Sequence, residues 1–247
     1  MKSFGLTDKG RVRKDNQDSF IIEKVKTKDC LIVALCDGMG GAKAGGLASQ
    51  IANRAFVSCV YAWLNTRNNR PVDFEQMLKN ACKEANGVAY EYSQFSEEFN
   101  GMGTTIVGGV IKSNGVGHII NVGDSRAYLI SRRNDTISQI TRDHSLVGDL
   151  LEYGVITQEQ VKTHPQRNVI TRAVGTDSQV EADYFSFELG IGDILLLCSD
   201  GLSNTLTDEE MLEQAKLHRE PEDLCRTLMD MALSRGARDN VTVVAVK

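Results

Sequence analysis

The sequence predicts an α+β fold built on antiparallel sheet, and three observations carry that prediction. Short β-branched runs follow one another through short turns. Helical patterns come in blocks and not after every strand, as a doubly wound sheet would require. With only three prolines and no low-complexity or linker-like stretch, residues 1–247 read as a single domain.

Taken in chain order, strands are expected at 19–23 and 31–36. A helix over 48–63 places Ile51, Ala52, Ala55, Phe56, Cys59 and Val60 on one face. Asp73 caps a second helix running to about residue 92, with Gln76 at the capping-box position. Strands follow at 104–111, 117–122 and 126–130. Thr157/Gln160 and Thr207/Glu210 repeat the capping-box spacing. Strands at 194–198 and 241–246 complete the reading.

Apolar residues make up 41 % of the chain and charged ones 25 %, so a sizeable core can form. A net charge of −5 with no Lys/Arg run disfavours a nucleic-acid binder. Apolar runs such as 194–198 are far too short to cross a bilayer. Residues 1–5 lack the apolar stretch of a signal peptide. The six cysteines, Cys30, Cys36, Cys59, Cys82, Cys198 and Cys225, contain no C-x-x-C pair. Their scattered spacing disfavours a disulfide framework. A cytoplasmic protein with reduced thiols is the expectation.

The chemistry gathers at aspartates beside strand ends. Asp18 precedes the run 19–23. Asp37 closes 31–36 and is followed by Gly38-Met39-Gly40-Gly41. Asp124 follows Val122-Gly123, Asp200 follows 194–199, and Asp239-Asn240 precede 241–246. Strand ends are rigid platforms open to solvent, so carboxylates from different strands can meet at one rim. Any one of these aspartates alone reads more simply as a cap or turn residue; five in the same arrangement do not. Clustered carboxylates must take up protons or bind cations, and all-oxygen ligands suit Mg²⁺ or Mn²⁺. Two such ions activate a water and clamp an in-line displacement at phosphorus.

Arg13 and Arg126 have the bidentate geometry for phosphate. A structural ion pair is the plainer reading of either, and the preferred one for Arg126. No cysteine has an arginine six positions later. Neither Gly38-Met39-Gly40-Gly41 nor Gly101-Met102-Gly103-Thr104-Thr105 continues into the Gly-Lys-Ser/Thr of a P-loop. The four histidines lack zinc spacing. His144 either orients a neighbour or shuttles a proton, and most simply is a satisfied structural residue.

Eight short segments in order resemble the motifs of the protein phosphatase 2C (PPM) family of metal-dependent serine/threonine phosphatases, in its compact bacterial form. They are Arg13-Lys14-Asp15-Asn16-Gln17-Asp18, Asp37-Gly38-Met39-Gly40-Gly41, Gly101-Met102-Gly103-Thr104-Thr105, Val122-Gly123-Asp124-Ser125-Arg126, Thr141-Arg142-Asp143-His144-Ser145, Ile170-Thr171-Arg172-Ala173-Val174-Gly175, Cys198-Ser199-Asp200-Gly201-Leu202 and Arg238-Asp239-Asn240-Val241-Thr242. They cover the chain from about residue 3 to 247.

The resemblance implies a four-layer α/β/β/α sandwich of two antiparallel sheets. It implies two core Mn²⁺ or Mg²⁺ ions bridged by Asp37, with the Gly38 carbonyl on one and Asp200 and Asp239 on the other. Asp124, with Asp200, would hold a weaker third ion. Asp18 would accept from metal-held water, Arg13 would bind the substrate phosphate, and Gln17 and Asn240 would support the ligands from behind. A flap would span about 146–168. The implied partners are phosphoprotein substrates and a bacterial-type serine/threonine kinase, with the protein itself a monomer. Two departures are visible: Gln17 stands where the family often has Glu, and Met39 where many eukaryotic members carry a histidine proposed as general acid. Neither removes an implied ligand. The rival functions are a silent phosphoprotein-binding module, which Asp37, Asp200 and Asp239 argue against, and a two-metal hydrolase of small phosphate esters.

Overall fold

Strands that are apolar at every residue must be covered on both faces, and the computed structural model of the chain satisfies that demand. The structure describes residues 1–40, 44–66 and 72–247; Gly41 of the glycine run lies outside them. The strands are β1 (Ser3–Asp8), β2 (Asp18–Val25), β3 (Cys30–Met39), β4 (Gly103–Thr104), β5 (Ile106–Lys112), β6 (Val116–Val122), β7 (Arg126–Ser131), β8 (Thr136–Gln139), β9 (Asp183–Glu188), β10 (Ile194–Cys198) and β11 (Val241–Val246). The helices are α1 (Ala44–Thr66), α2 (Phe74–Ser93), α3 (Leu146–Glu152), α4 (Gln158–Thr163), α5 (Asp200–Ser203), α6 (Asp208–Leu217) and α7 (Pro221–Ser234).

Two antiparallel sheets result. One has the order β2-β3-β5-β6-β9, with β4 paired to β3; the other has the order β1-β11-β10-β7-β8. Successive residues of a strand face opposite ways, and the core divides accordingly. Ile32, Ala34 and Cys36 of β3 pack with α1 and α2. Their neighbours Leu31, Val33 and Leu35 meet Leu195, Leu197, Val244 and Val246 between the sheets. Ile194, Leu196, Cys198, Val241, Val243 and Ala245 face outward against α6 and α7. Helices thus cover both outer faces, as the resemblance implies.

The expected strand at 104–111 is broken at Thr105. Its N–H donates to the Asp37 carbonyl (2.8 Å) and its hydroxyl accepts from the Asp37 N–H (2.9 Å), which ties it to the end of β3 in place of a regular ladder. The caps form as expected. The Asp73 carboxylate accepts from the Gln76 N–H, the Thr157 N–H donates to the Gln160 side chain, and Thr207 and Glu210 exchange both bonds. Strands β1, β8 and β9 and helix α7 go beyond the sequence reading. All six cysteines are unpaired. No helix of the described residues is long and apolar enough to cross a membrane.

Candidate active site

Strand direction explains why distant aspartates meet. β2 and β3 are antiparallel neighbours, so the start of one and the end of the other share a rim, and Asp18 stands directly opposite Asp37. β10 and β11 are likewise antiparallel neighbours, which brings Asp200, just after β10, to the same end as Asp239, just before β11. Asp124 lies in the turn from β6 to β7, where the chain passes from one sheet to the other. Gly123 makes that turn at φ +103°, a conformation that favours glycine. Arg13, Gln17, Asp37, Gly38, Asp124, Asp200 and Asp239 line one cleft of about 230 Å³, joined by Asn168 and Ile170. Asp18 lies behind it, 7 % exposed.

Gly38 is held tightly. Its N–H donates to the Gln17 carbonyl (3.2 Å), and a Cβ there would meet the Gly45 carbonyl at 2.0 Å. Asn240 fastens the segment that carries Arg13. Its amide donates to the carbonyls of Lys9 and Asp15 (both 3.0 Å) and accepts from the Gln17 N–H (2.9 Å). Arg13 reaches the cleft, but its guanidinium is paired with Asp239 at 2.8 Å. Arg126 is structural: it grips Asp143 through Nε and Nη2 (2.7–3.0 Å) and donates to the Tyr128 hydroxyl. His144 orients a neighbour. Its Nδ1 accepts from the Gly123 N–H (3.2 Å), its own N–H donates to the Gly123 carbonyl (2.9 Å), and Nε2 faces Asp183 at 3.2 Å. Burial lowers its pKa.

The carboxylates resist ionisation together. Burial, then the charges of Asp18, Asp200 and Asp124, pushes Asp37 well above the usual carboxylate range. Burial and the neighbouring Asp124 and Asp239 raise Asp200 to about 8. Burial and Asp143 raise Asp124 to about 6. Asp18 is raised by burial, against hydrogen bonds from Thr242 and Ser199 that lower it. Its Oδ1 is buried, and its carboxyl shares a side-chain hydrogen bond with Asp37.

A hard divalent cation fits this donor set, which offers oxygen alone and an excess of negative charge. Among the described residues, no three His, Cys, Asp or Glu side chains are already drawn together as a closed ligand group. Asp37 shares side-chain hydrogen bonds with Asp18 and with Asp200, which hold these carboxyls side by side where a cation would relieve their repulsion.

The sequence pattern of the family described as Protein phosphatase 2C matches residues 9–235. The chain belongs to that family. It is 38 % identical over 242 residues to the serine/threonine phosphatase stp of Listeria innocua, covering 98 % of this chain and 93 % of that one. Among solved structures it is similar to serine/threonine phosphatase Stp1 from Staphylococcus aureus, at TM-score 0.88 and 39 % identity, over 98 % of this chain and 93 % of that one. It is also similar to the catalytic domain of the serine/threonine protein phosphatase PstP in complex with two manganese ions, at TM-score 0.82 and 32 % identity, over 99 % and 96 % of the two chains.

The electrostatics of this family site set a pH dependence. Asp200 moves from an ordinary 3.8 to about 8 in the folded chain. Between those values the native state binds more protons than the unfolded one, so this group's contribution is complete below about 3.8 and is lost as pH rises through 8. Metal-free Asp200→Asn is therefore expected to gain stability over the wild type as pH rises from 5 to 8. The limiting slope is about 1.4 kcal/mol per pH unit for one fully titrating group. Urea unfolding in chelator checks this, and an equal difference at both pH values would contradict it.

Proposed function

We propose that the chain hydrolyses phosphoserine and phosphothreonine monoesters on proteins, at a centre of two Mn²⁺ or Mg²⁺ ions, and opposes a bacterial-type serine/threonine kinase. The observation that carries the reading is one cleft walled by Asp37, Asp124, Asp200, Asp239 and Arg13, in a chain of the protein phosphatase 2C family. Asp37, the Gly38 carbonyl, Asp200 and Asp239 would hold the two ions. Asp124 with Asp200 would hold a weaker third. The chemistry such ions supply is activation of a water and a clamp on the oxygens of an in-line displacement.

The chain's own groups do the rest. Asp18 accepts a proton beside Asp37. Gly38 keeps its backbone at the cleft, where a side chain would collide with α1. Asn240 fixes the loop on which Arg13 rides. No phosphoenzyme is proposed: the water that such ions activate would attack phosphorus directly, and the buried thiols of Cys36 and Cys198, whose pKa burial raises, take no part. Helices α3 and α4 belong to a flap over about 146–168, and Asn168 at its end lines the cleft. The remaining expectations, a single catalytic domain acting as a cytoplasmic monomer, are part of the same proposal.

Phosphate release from a phosphothreonine peptide, with and without Mn²⁺, tests the reading. Release is expected only with the ion, and Asp37→Ala is expected to abolish it in a protein that still folds, since the residue stands at a rim. Mn²⁺-dependent turnover by folded Asp37→Ala would contradict the shared-ligand role.

The Arg13–Asp239 pair adds a second expectation. With Asp239 engaged as an ion ligand, the Arg13 guanidinium would be available to substrate phosphate. Arg13→Ala is expected to lower kcat/KM for the phosphopeptide by about 1.5–3 kcal/mol, the worth of a charge-assisted contact. Mn²⁺ affinity, read by calorimetry, should hold or rise, because a competitor for Asp239 has gone. Unchanged kcat/KM would leave Arg13 a structural partner of Asp239.

A further inference from the structure

Behind the cleft, hydroxyl groups converge on Asp18. Thr242 Oγ1 donates to Asp18 Oδ2 at 2.6 Å, and Ser199 Oγ donates to the same oxygen at 2.8 Å. Each hydroxyl has a single proton, and both are committed to Oδ2. Thr7 Oγ1, 2.7 Å from Thr242 Oγ1, must therefore be the donor in that contact. Thr7 in turn accepts from the Asn16 amide at 2.8 Å. Ser199 Oγ accepts from the Thr242 N–H at 2.9 Å. The donors run one way, from Asn16 through Thr7 and Thr242 to Asp18. The other carboxylate oxygen, Oδ1, is buried, and the Asp18 carboxyl shares a side-chain hydrogen bond with Asp37.

Ser199 gives up an ordinary role to take part. It occupies the N-cap of α5, where a serine hydroxyl normally accepts from the helix's own N–H groups. It makes no such bond and turns its proton on Asp18. A local preference abandoned beside a functional group points to a functional demand.

We infer that Ser199 and Thr242 are positioning residues for the hydrolytic step. By filling Oδ2 with two hydroxyl donors they hold the Asp18 carboxylate in one orientation beside Asp37. The inference rests on the reading of the cleft as a phosphoester-hydrolysing site. It adds two residues that act on the cleft through Asp18, Ser199 from the position next to Asp200. Thr7 and Asn16 extend the chain and fix the direction of the Thr242 hydroxyl.

A double-mutant cycle tests it, using Thr242→Val, Asp18→Asn and their combination, with Thr242→Ser and Ser199→Ala beside them. Two readouts are taken: urea unfolding of the metal-free proteins, and kcat and KM for a small aryl phosphate at saturating Mn²⁺. Thr242→Val is expected to lower kcat about tenfold with KM within about twofold. Thr242→Ser, which keeps the hydroxyl, should restore kcat to within about twofold. In the Asp18→Asn background Thr242→Val should cost no further kcat, and the metal-free unfolding cycle should show coupling between the two positions. Folded Thr242→Val with wild-type kcat, or losses that multiply in the double variant, would overturn the inference. Should Thr242→Val fail to fold, Ser199→Ala carries the same test, and full kcat in that variant would overturn it. A wild type that turns over aryl phosphate but not a phosphothreonine peptide would remove the substrate reading and leave the cycle to decide this one.

Discussion

Bringing several carboxylates to one buried rim costs free energy, and much of the molecule is arranged around that cost. Asp37, Asp200 and Asp124 all sit where burial and mutual repulsion favour their protonated forms. Only strong framework forces hold them there. Two sheets covered on both faces supply those forces, because the residues beside the aspartates are among the most buried in the chain. Cys36, Cys198 and Val241 have no exposed surface. Each aspartate thus stands at the end of an anchored strand, and the strain of like charge is carried by packing.

The same arrangement separates stability from chemistry. The polar groups of the rim are served by backbone and hydroxyl partners in place of counter-charges. Asn240 ties the Arg13 loop to the start of β11, Thr105 ties the end of β3 to Ser125 through a 2.7 Å hydroxyl contact, and His144 grips Gly123 from both sides. None of these contacts neutralises the carboxylates. The pairing of Arg13 with Asp239 is the exception, a positive charge within the cleft on the carboxylate side chain that is 39 % exposed.

Much of this was legible in the sequence, for identifiable reasons. The strands at 31–36 and 194–198 are continuous apolar runs, and 241–246 is interrupted only by Thr242, because both faces are buried, and such runs need no tertiary context to be seen. Edge strands β1, β8 and β9 were missed. Their burial is partial, and Thr136–Gln139 carries no apolar alternation beyond Ile137. Helix α7 had a usable signal that went unread: Pro221 at its first turn, acidic Glu222 and Asp223 after it, and Leu224, Cys225, Leu228, Met229 and Ala232 at helical spacing. The aspartates announced themselves by recurring beside strand ends. Ser199 and Thr242 did not, because their importance lies in which carboxylate oxygen they reach, and that depends on the pairing of strands far apart in sequence. The pairing of Arg13 with Asp239, 226 positions apart, was hidden for the same reason.

The central claim is that the rim holds protons which a divalent cation displaces. Calorimetric titration of the metal-free protein with Mn²⁺ at pH 7, in two buffers of different ionisation enthalpy, tests it directly. With Asp200 raised to about 8 and Asp37 well above its ordinary value, binding should release protons, and the observed heat should change with the buffer. Binding with a heat independent of the buffer, or no binding at all, would contradict the account.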